Sequence, residues 1–561
     1  MGKSIENISG FIYQQKMNIR QYRLFLALIF GLMLGLAYPP VPTGITAAFA
    51  FVPFILIFES IDKYGTGFRY SYLSFFIFNL ITLYWAGGFA YCRDMYQMVA
   101  GVLLLIAHPI FFSVPIMFWI FIRRQLGFKI SVLVFPFLWV AFEYLHSLTE
   151  ISFPWLILGN TQTYDLSIIQ FASITGVYGV SFWLLWLNVL AFILFTKIYL
   201  KEWKPLSPLP SGTLLCILVI YFVPKYFGDQ ILHNPQPTNG ASVQIAVVQP
   251  NIDPFEKWDE RPEKSLDIIQ QQTGKILYKG VDLILWPETA VPFYILHPAN
   301  QSYLEKLKRQ VNSINCNLLT GIPDIKYYLQ TDDIPKTSKT SLTGEHYETY
   351  NSSMLLQPYR DDIQKYAKII LVPFAERVPF SEALNILNAM QWNFGLGGWT
   401  HGKDTTIFRC MTLDGREIKF SNMICYESVY PQLVSAFVRR GAQFLTVITN
   451  DSWWGNTSGA YQHKQIAVMR AIENRRWVVQ CANGGISVFI DPYGNITQGT
   501  NMYEQSTLFG SVQVVETQSF YTRHGDWLAE AALIISAFFL SAAISKKFYK
   551  NIRQKDSHEV H

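Results

Sequence analysis

The sequence predicts two architectures in one chain: a multi-span α-helical membrane domain and a layered α/β domain outside the membrane. Three observations predict it. Half of the 561 residues are hydrophobic and only 15% are charged, which is too apolar for an ordinary soluble protein and too weakly charged for a disordered one. Long apolar runs crowd the first 225 residues and return once near the C-terminus. Between them, short β-like runs alternate with polar and helical segments.

The apolar runs are read as spans at 24–40, 43–59, 70–88, 98–122, 129–147, 168–196 and 207–224. Each is long enough to cross about 30 Å of hydrocarbon, the first and last being the shortest fits. An eighth, "WLAEAALIISAFFLSAAIS", runs from Trp527 to Ser545. Charge orients the set. Lys16, Arg20 and Arg23 precede the first span, and Lys63 and Arg69 follow the second. Arg123, Arg124 and Lys129 follow the fourth, and Lys197, Lys201 and Lys204 the sixth. Lys546, Lys547, Lys550, Arg553 and Lys555 close the chain, while the alternate loops carry little beyond Arg93. By the positive-inside rule both termini face the cytoplasm and the middle of the chain lies outside. The expected domains are therefore 1–225 with seven spans, 226–525 as the extracytoplasmic domain, and 526–561 as a last span with a basic tail. His108 and Pro109 are expected to interrupt the fourth span. Glu143 and His146 fall in the fifth, where an ionisable group marks a site or is satisfied by local hydrogen bonds. Phe153 and Trp155, in the outer loop "SFPWLILGNTQ", suit the lipid interface.

The soluble half reads as strands at 241–249, 281–287, 316–323 and 443–450, with shorter ones at 351–357, 419–425 and 476–483. Helical patterns cover 262–278, 301–313, 430–439 and 459–475, and 325–348 is a polar surface excursion. Strands alternating with helices give a layered α/β domain, and near-continuous apolar strands mean a sheet covered on both faces. A net charge of +5 without a basic run or zinc-finger spacing excludes a nucleic-acid partner. The six cysteines form no CxxC pair and no disulfide framework. No cleavable signal peptide is expected, because the first apolar run lacks a small-residue cleavage site.

Chemistry tends to sit at the ends of such strands. Glu288 follows "LILWP", Cys425 ends "FSNMIC", Asn450 and Asp451 end "LTVITN", and Lys368 lies in "KYAKIILVPF". Cys425 is a candidate nucleophile, but a thiol needs a base or a lowered pKa to attack at neutral pH. Glu427, two residues along the strand, shares its face and would raise the thiol pKa unless poised to take the proton. Glu288, stiffened by Pro287 and Pro292, is the better base, and Lys368 would supply positive charge for a thiolate or an oxyanion. Taken singly, the cysteine also reads as a core residue, the glutamate as a turn cap and the lysine as surface. No spacing rule joins the three.

The order of the motifs does join them. With the span layout, "VVQPNIDPFEKW", "DLILWPETAVP", "YNSSMLL", "KIILVPFAERVP", "MICYES", "TNDSWWGNTSG" and "YTRHGDW", the chain resembles the bacterial apolipoprotein N-acyltransferases along nearly its whole length. The outer domain of that family belongs to the nitrilase, or carbon–nitrogen hydrolase, superfamily. The resemblance implies a nitrilase-like αββα sandwich and a catalytic triad of Glu288 as general base, Lys368 as intermediate stabiliser and Cys425 as nucleophile. Trp258, Glu376, Tyr426 and Glu427 fall on its supporting positions, and Lys365 lies one turn too early for the triad. Ala375 stands where relatives often have Gly, and Trp454 where they often have Phe. The implied reaction moves an acyl chain from the sn-1 position of a phospholipid, usually phosphatidylethanolamine, through a cysteine thioester to the N-terminal amine of a diacylated apolipoprotein. It needs no cofactor and no metal. The implied location is the bacterial inner membrane, with the catalytic domain facing the periplasm. The aromatic, glycine-rich stretch at 379–399, with Trp392, Phe394 and Trp399, is expected to be a lid or lipid contact. Two alternatives are a membrane-tethered amidase using the same triad, and a transporter with an outer binding domain, for which no internal repeat is seen.

Overall fold

The computed structural model describes residues 20–559, apart from 60, 92–94, 201, 236–239, 258–262, 277–278, 330–332, 336–337 and 382–397. Every apolar run is helical. Residues 20–36 form α1, followed by α2 (Ala47–Glu59), α3 (Tyr64–Thr82), α4 (Met95–Leu126) and α5 (Phe128–His146). A short α6 (Leu166–Ile169) leads into α7 (Ala172–Tyr199) and α8 (Pro208–His233). Among the described residues, α4, α5, α7, α8 and the C-terminal helix are long and apolar enough to cross a membrane.

The second run is a 3-10 turn (Gly44–Thr46) leading into α2, which has 13 residues, about 20 Å of helix. Its apolarity serves the bundle interior: Phe51, Phe54, Ile55 and Phe58 are fully buried, and Phe51 packs on Phe30, Phe135 and Trp139. Helix α4 is not interrupted at His108 and Pro109. It runs through Pro109 and Pro115, with the Ser113 hydroxyl donating to the Pro109 carbonyl at 2.9 Å and Asn79 holding His108 at 3.2 Å. Trp155 is buried and does not face lipid, while Phe153 is half-buried. The segment 152–163 folds inward as two 3-10 turns, with Trp155, Leu156, Ile157 and Leu158 buried. Glu143 holds it from below, accepting the Leu158 amide at 2.8 Å and the Trp139 indole at 3.0 Å. This is the local hydrogen bonding that a carboxylate in a bundle needs.

The soluble half is two packed sheets. The first has the order β13-β1-β2-β3-β5-β4, with β6 on β5. Its strands are β1 (Ser242–Gln249), β2 (Leu283–Leu285), β3 (Asn317–Tyr328), β4 (Lys339–Thr340), β5 (His346–Leu356), β6 (Gln364–Ala367) and β13 (Ser506–Gln513). The second has the order β12-β11-β10-β9-β8-β7. Its strands are β7 (Phe408–Met411), β8 (Glu417–Ile424), β9 (Phe444–Thr449), β10 (Val478–Ala482), β11 (Val488–Ile490) and β12 (Ile496–Gly499). Side chains alternate along each strand, so both faces of the first sheet are buried. Val243, Ile245, Val247, Leu285 and Leu319 face the second sheet. Ala246, Val248, Ile284, Leu318 and Ile322 face α9 (Glu263–Gly274) and α10 (Gln301–Ile314). On the far face of the second sheet lie α11 (Pro431–Arg439) and α12 (Ser458–Asn474). The layers are αββα, as the resemblance implied. The stretch 325–348 is less of an excursion than expected, because β3 and β5 stay paired out to Tyr328 and His346.

Helix α12 also packs on α7, joining the two halves. At Gly176 the backbone turns left-handed (φ 67°) and breaks α7; a Cβ there would lie 2.5 Å from the Tyr521 ring. The helix restarts at Val177, whose free amide donates to Glu473 on α12 at 2.7 Å. A carboxylate at a helix N-terminus satisfies an orphan donor and meets the positive end of the helix dipole. The chain closes with α13 (Phe520–His524) and α14 (Trp527–Glu559).

Candidate active site

The parallel strands β1, β2 and β3 of one sheet and β8, β9 and β10 of the other end on the same side. The loops leaving those ends carry the candidate residues. Glu288 lies just past β2, Lys368 one residue past β6, and Cys425 one residue past β8.

Lys368 is almost fully buried, with its ammonium 2.8 Å from Glu376 Oε1 and 3.5 Å from Glu288 Oε1. Asn351 bridges the same two carboxylates. Its Nδ2 donates to Glu288 Oε1 at 2.8 Å and to Glu376 Oε1 at 3.2 Å, and its carbonyl accepts the Lys368 amide at 2.8 Å. Glu376 is itself fixed, because its Oε2 accepts the Val372 amide at 2.8 Å. Burial alone would push the Lys368 amine down, but Glu376, Glu288 and the Cys425 thiol together outweigh it and hold the amine above its ordinary value. Lys368 is therefore a permanent cation.

Cys425 is half-buried. It is the first residue of a 3-10 turn rather than the last of a strand, and its φ is +51°. A non-glycine residue in that region needs its surroundings to hold it. Burial pushes the thiol well up, Glu288 adds to that and Lys368 opposes it. The sulfur lies close enough to Glu288 and Lys368 to feel both charges, and a thiol pushed upward attacks only with the help of a base.

The turn also changes what Glu427 does. It does not lie beside the thiol on a shared strand face. Its Oε2 accepts the Ile424 amide at 2.8 Å, while its Oε1 accepts the Tyr366 hydroxyl and the Ile369 amide, each at 2.6 Å. One carboxylate thus clamps the nucleophile turn to the strand that carries Lys368. Burial raises it to about 7 against these donors. Tyr426 points toward the membrane half and donates to the Ser152 carbonyl at 2.9 Å, with Phe153 and Trp155 against its ring. The buried 152–163 segment is the floor under Cys425.

Glu288, Lys368, Cys425, Glu376 and Glu427 thus converge, with Tyr426 linking them to the floor. Trp399 lies beside them through its backbone, its amide meeting the Glu376 carbonyl at 3.4 Å. Lys365 is elsewhere, paired with Asp324 at 2.7 Å. Trp258, Trp392 and Phe394 lie outside the described residues. Two further residues, neither singled out by the sequence, contact the candidate site. Asn351 was visible only as part of "YNSSMLL". Lys257 precedes Trp258, and its buried ammonium donates to the Glu288 carbonyl at 2.9 Å and to Thr289 Oγ1 at 2.8 Å. Burial lowers that amine to about 7. Thr289 is left-handed (φ 46°), so Lys257 holds a strained turn directly behind the base.

A half-buried thiol, a carboxylate and a fixed cation are the parts needed to attack a carbonyl and stabilise the oxyanion. Residues 244–522 match the family profile described as carbon–nitrogen hydrolase, and residues 30–190 match the apolipoprotein N-acyltransferase N-terminal domain. An apolipoprotein N-acyltransferase of Chlorobaculum tepidum is 37% identical over 534 residues, covering 93% of this chain and 97% of that protein. One of Geobacter metallireducens is 32% identical over 528 residues, covering 93% and 95%. One of Rickettsia prowazekii is 28% identical over 530 residues, covering 92% and 96%.

Proposed function

The chain belongs to the apolipoprotein N-acyltransferase family, and from that premise we propose that it loads a phospholipid acyl chain onto Cys425 and passes it to the α-amine of a diacylated apolipoprotein. It is a membrane-embedded acyltransferase of lipoprotein maturation. The convergence of Glu288, Lys368 and Cys425 above a floor built by the membrane half is the observation that carries the finer reading.

In the first stage Glu288 takes the thiol proton and the sulfur attacks the sn-1 ester carbonyl. A C–S bond forms, and the oxyanion develops beside Lys368. The C–O bond then breaks, Glu288 returns the proton to the leaving glycerol oxygen, and a lysophospholipid departs. In the second stage Glu288 takes a proton from the acceptor amine, the nitrogen attacks the thioester, and the C–S bond breaks. The proton returns to sulfur and the product is an amide. Glu376 and Asn351 keep Lys368 and Glu288 apart yet aligned, and Lys257 secures the Glu288 turn. Each buried CH₂ of a lipid contributes about 0.8 kcal/mol, so both substrates stay in the bilayer and the site must meet them there. Phosphatidylethanolamine is the favoured donor. The soluble half faces the periplasm with both termini cytoplasmic.

The test is transfer of labelled acyl chains from phosphatidylethanolamine to a synthetic diacylated lipopeptide by the full-length protein in nanodiscs. We expect an N-acylated lipopeptide and one equivalent of lysophospholipid. Hydrolysis of small amides without lipopeptide acylation would instead mean a tethered amidase and would overturn the reading.

A further inference from the structure

Two neighbouring side chains on α12 link the nucleophile to the membrane half, and the chemistry above uses neither. The first is Gln462, which is buried. Its Oε1 accepts the indole N–H groups of Trp85 at 3.1 Å and Trp155 at 2.8 Å. Its Nε2 donates to the carbonyls of Pro39 and Thr82, both at 3.1 Å. All four hydrogen-bonding positions of one amide are filled, and every partner belongs to the membrane half. Three separate stretches of that half, around residues 39, 82–85 and 155, close on one side chain.

The second is His463, fully buried. Its Nδ1 is 3.0 Å from Asp451 Oδ1, and its Nε2 is 2.7 Å from Ser428 Oγ and 3.2 Å from the Cys425 carbonyl oxygen. Ser428 Oγ is also 2.9 Å from that carbonyl. Asp451 is steadied by the Thr449 hydroxyl at 2.7 Å. The residue types are those of a hydrolytic triad, but Ser428 is sealed from solvent and its hydroxyl lies against the nucleophile's own carbonyl. The arrangement holds and does not attack. It grips the peptide oxygen of a residue in a left-handed conformation that few side chains adopt unaided. Trp155 stands 5.4 Å from the His463 ring and also bonds Gln462, so the floor segment touches both members of the pair.

We propose that Gln462 and His463 are positioning residues that register the Cys425 turn against the membrane half, so that the thiol is aligned with a lipid ester held there. The proposal rests on Cys425 being the acyl-accepting thiol. His463 acts on the turn itself. Gln462 acts on the relation of that turn to the membrane loops. The two roles separate experimentally.

The experiment compares wild type with Gln462→Leu, His463→Leu and His463→Gln, each full-length and in nanodiscs of phosphatidylethanolamine and phosphatidylglycerol. Three quantities are read: acyl loading of Cys425 by intact mass, alkylation of Cys425 by iodoacetamide, and the thermal midpoint. Gln462→Leu is expected to load lipid at least tenfold more slowly while alkylation stays within threefold, because the small probe needs no register. His463→Leu is expected to slow both at least tenfold, and His463→Gln, which keeps a hydrogen-bonding side chain toward Ser428 and the Cys425 carbonyl, to recover most of the alkylation rate. Loading at the wild-type rate by Gln462→Leu or His463→Leu would overturn the proposal, as would losses that only follow the unfolded fraction. If His463→Leu does not fold, Ser428→Ala takes its place with the same expected losses and the same overturning result. A wild type that is alkylated but never loaded would instead sink the acyl-enzyme reading, a distinguishable failure.

Discussion

At Cys425 the backbone and the charge environment make separate demands. The left-handed φ presents the sulfur at the head of a tight turn, and burial pushes its thiol pKa upward, with Glu288 adding to the shift and Lys368 opposing it. Cys425→Ala removes the sulfur without changing the turn's partners, so it should fold with an unchanged thermal midpoint and lose all acyl loading. Lys368→Met should be nearly as severe. It removes the only cation seen to pair with Glu288 and Glu376 among the described residues and with it the positive charge set to face the oxyanion. A loss of about 10³-fold in loading rate is expected, the scale of losing one oxyanion stabiliser; retention of more than a tenth of the rate would contradict the role. The residue types of this centre were legible in the sequence through its motifs. The turn was not. Nothing in "MICYES" reveals that the chain goes left-handed at the cysteine, so Glu427 read as a strand neighbour of the thiol when it is a clamp facing Ile369. Lys257, Asn351 and His463 were equally hidden, because each acts through contacts more than 30 residues away in sequence.

At the level of elements, helices of the soluble half with clear periodicity lie close to their expected limits, 301–313 against Gln301–Ile314 and 459–475 against Ser458–Asn474, while the apolar runs 70–88 and 207–224 miss theirs, Tyr64–Thr82 and Pro208–His233, by up to nine residues. Strands β6, β7 and β11 to β13 were not read. β12 is exposed along its whole length and β13 buries only Val512, so neither carries the buried apolar alternation that marks a strand. The floor segment misled for a related reason. An aromatic beside a proline in an outer loop fits lipid and protein interior alike, and only the fold shows that Trp155 belongs inside. The Glu427 clamp, which joins β6 to β8, gives a pH prediction. Its folded pKa is about 7 against an ordinary 4.5. In between, the folded state binds the extra proton, so this group's contribution is full below pH 4.5 and is lost as pH rises through 7. The span corresponds to roughly 3 kcal/mol at most. The wild-type thermal midpoint should therefore fall more steeply between pH 5 and 7.5 than that of Glu427→Gln. Parallel curves would contradict the assignment.

Across the whole molecule, the two halves are joined by polar contacts as well as by packing. Glu473 caps α7 at Val177 and pairs with Arg470 at 3.0 Å. Breaking one side of such a buried pair costs about 3–5 kcal/mol, so Glu473→Ala should lower the thermal midpoint by several degrees while leaving the chemistry of Cys425 alone. A variant that melts with the wild type would show that this contact does not help hold the halves together. The orientation proposed above, with the soluble half outside the cytoplasm, rests on the charge pattern and can be tested directly. A cysteine introduced at the exposed Thr343 should react with an impermeant maleimide in intact spheroplasts, and labelling only after lysis would reverse the orientation. The central claim is a covalent one. Intact-mass spectrometry of the full-length protein, incubated with phosphatidylethanolamine of one known sn-1 chain, should show a single added acyl group on wild type that hydroxylamine removes. Glu288→Gln should show almost none and Cys425→Ala none. An acyl group that persists in Cys425→Ala, or normal loading in Glu288→Gln, would contradict the account.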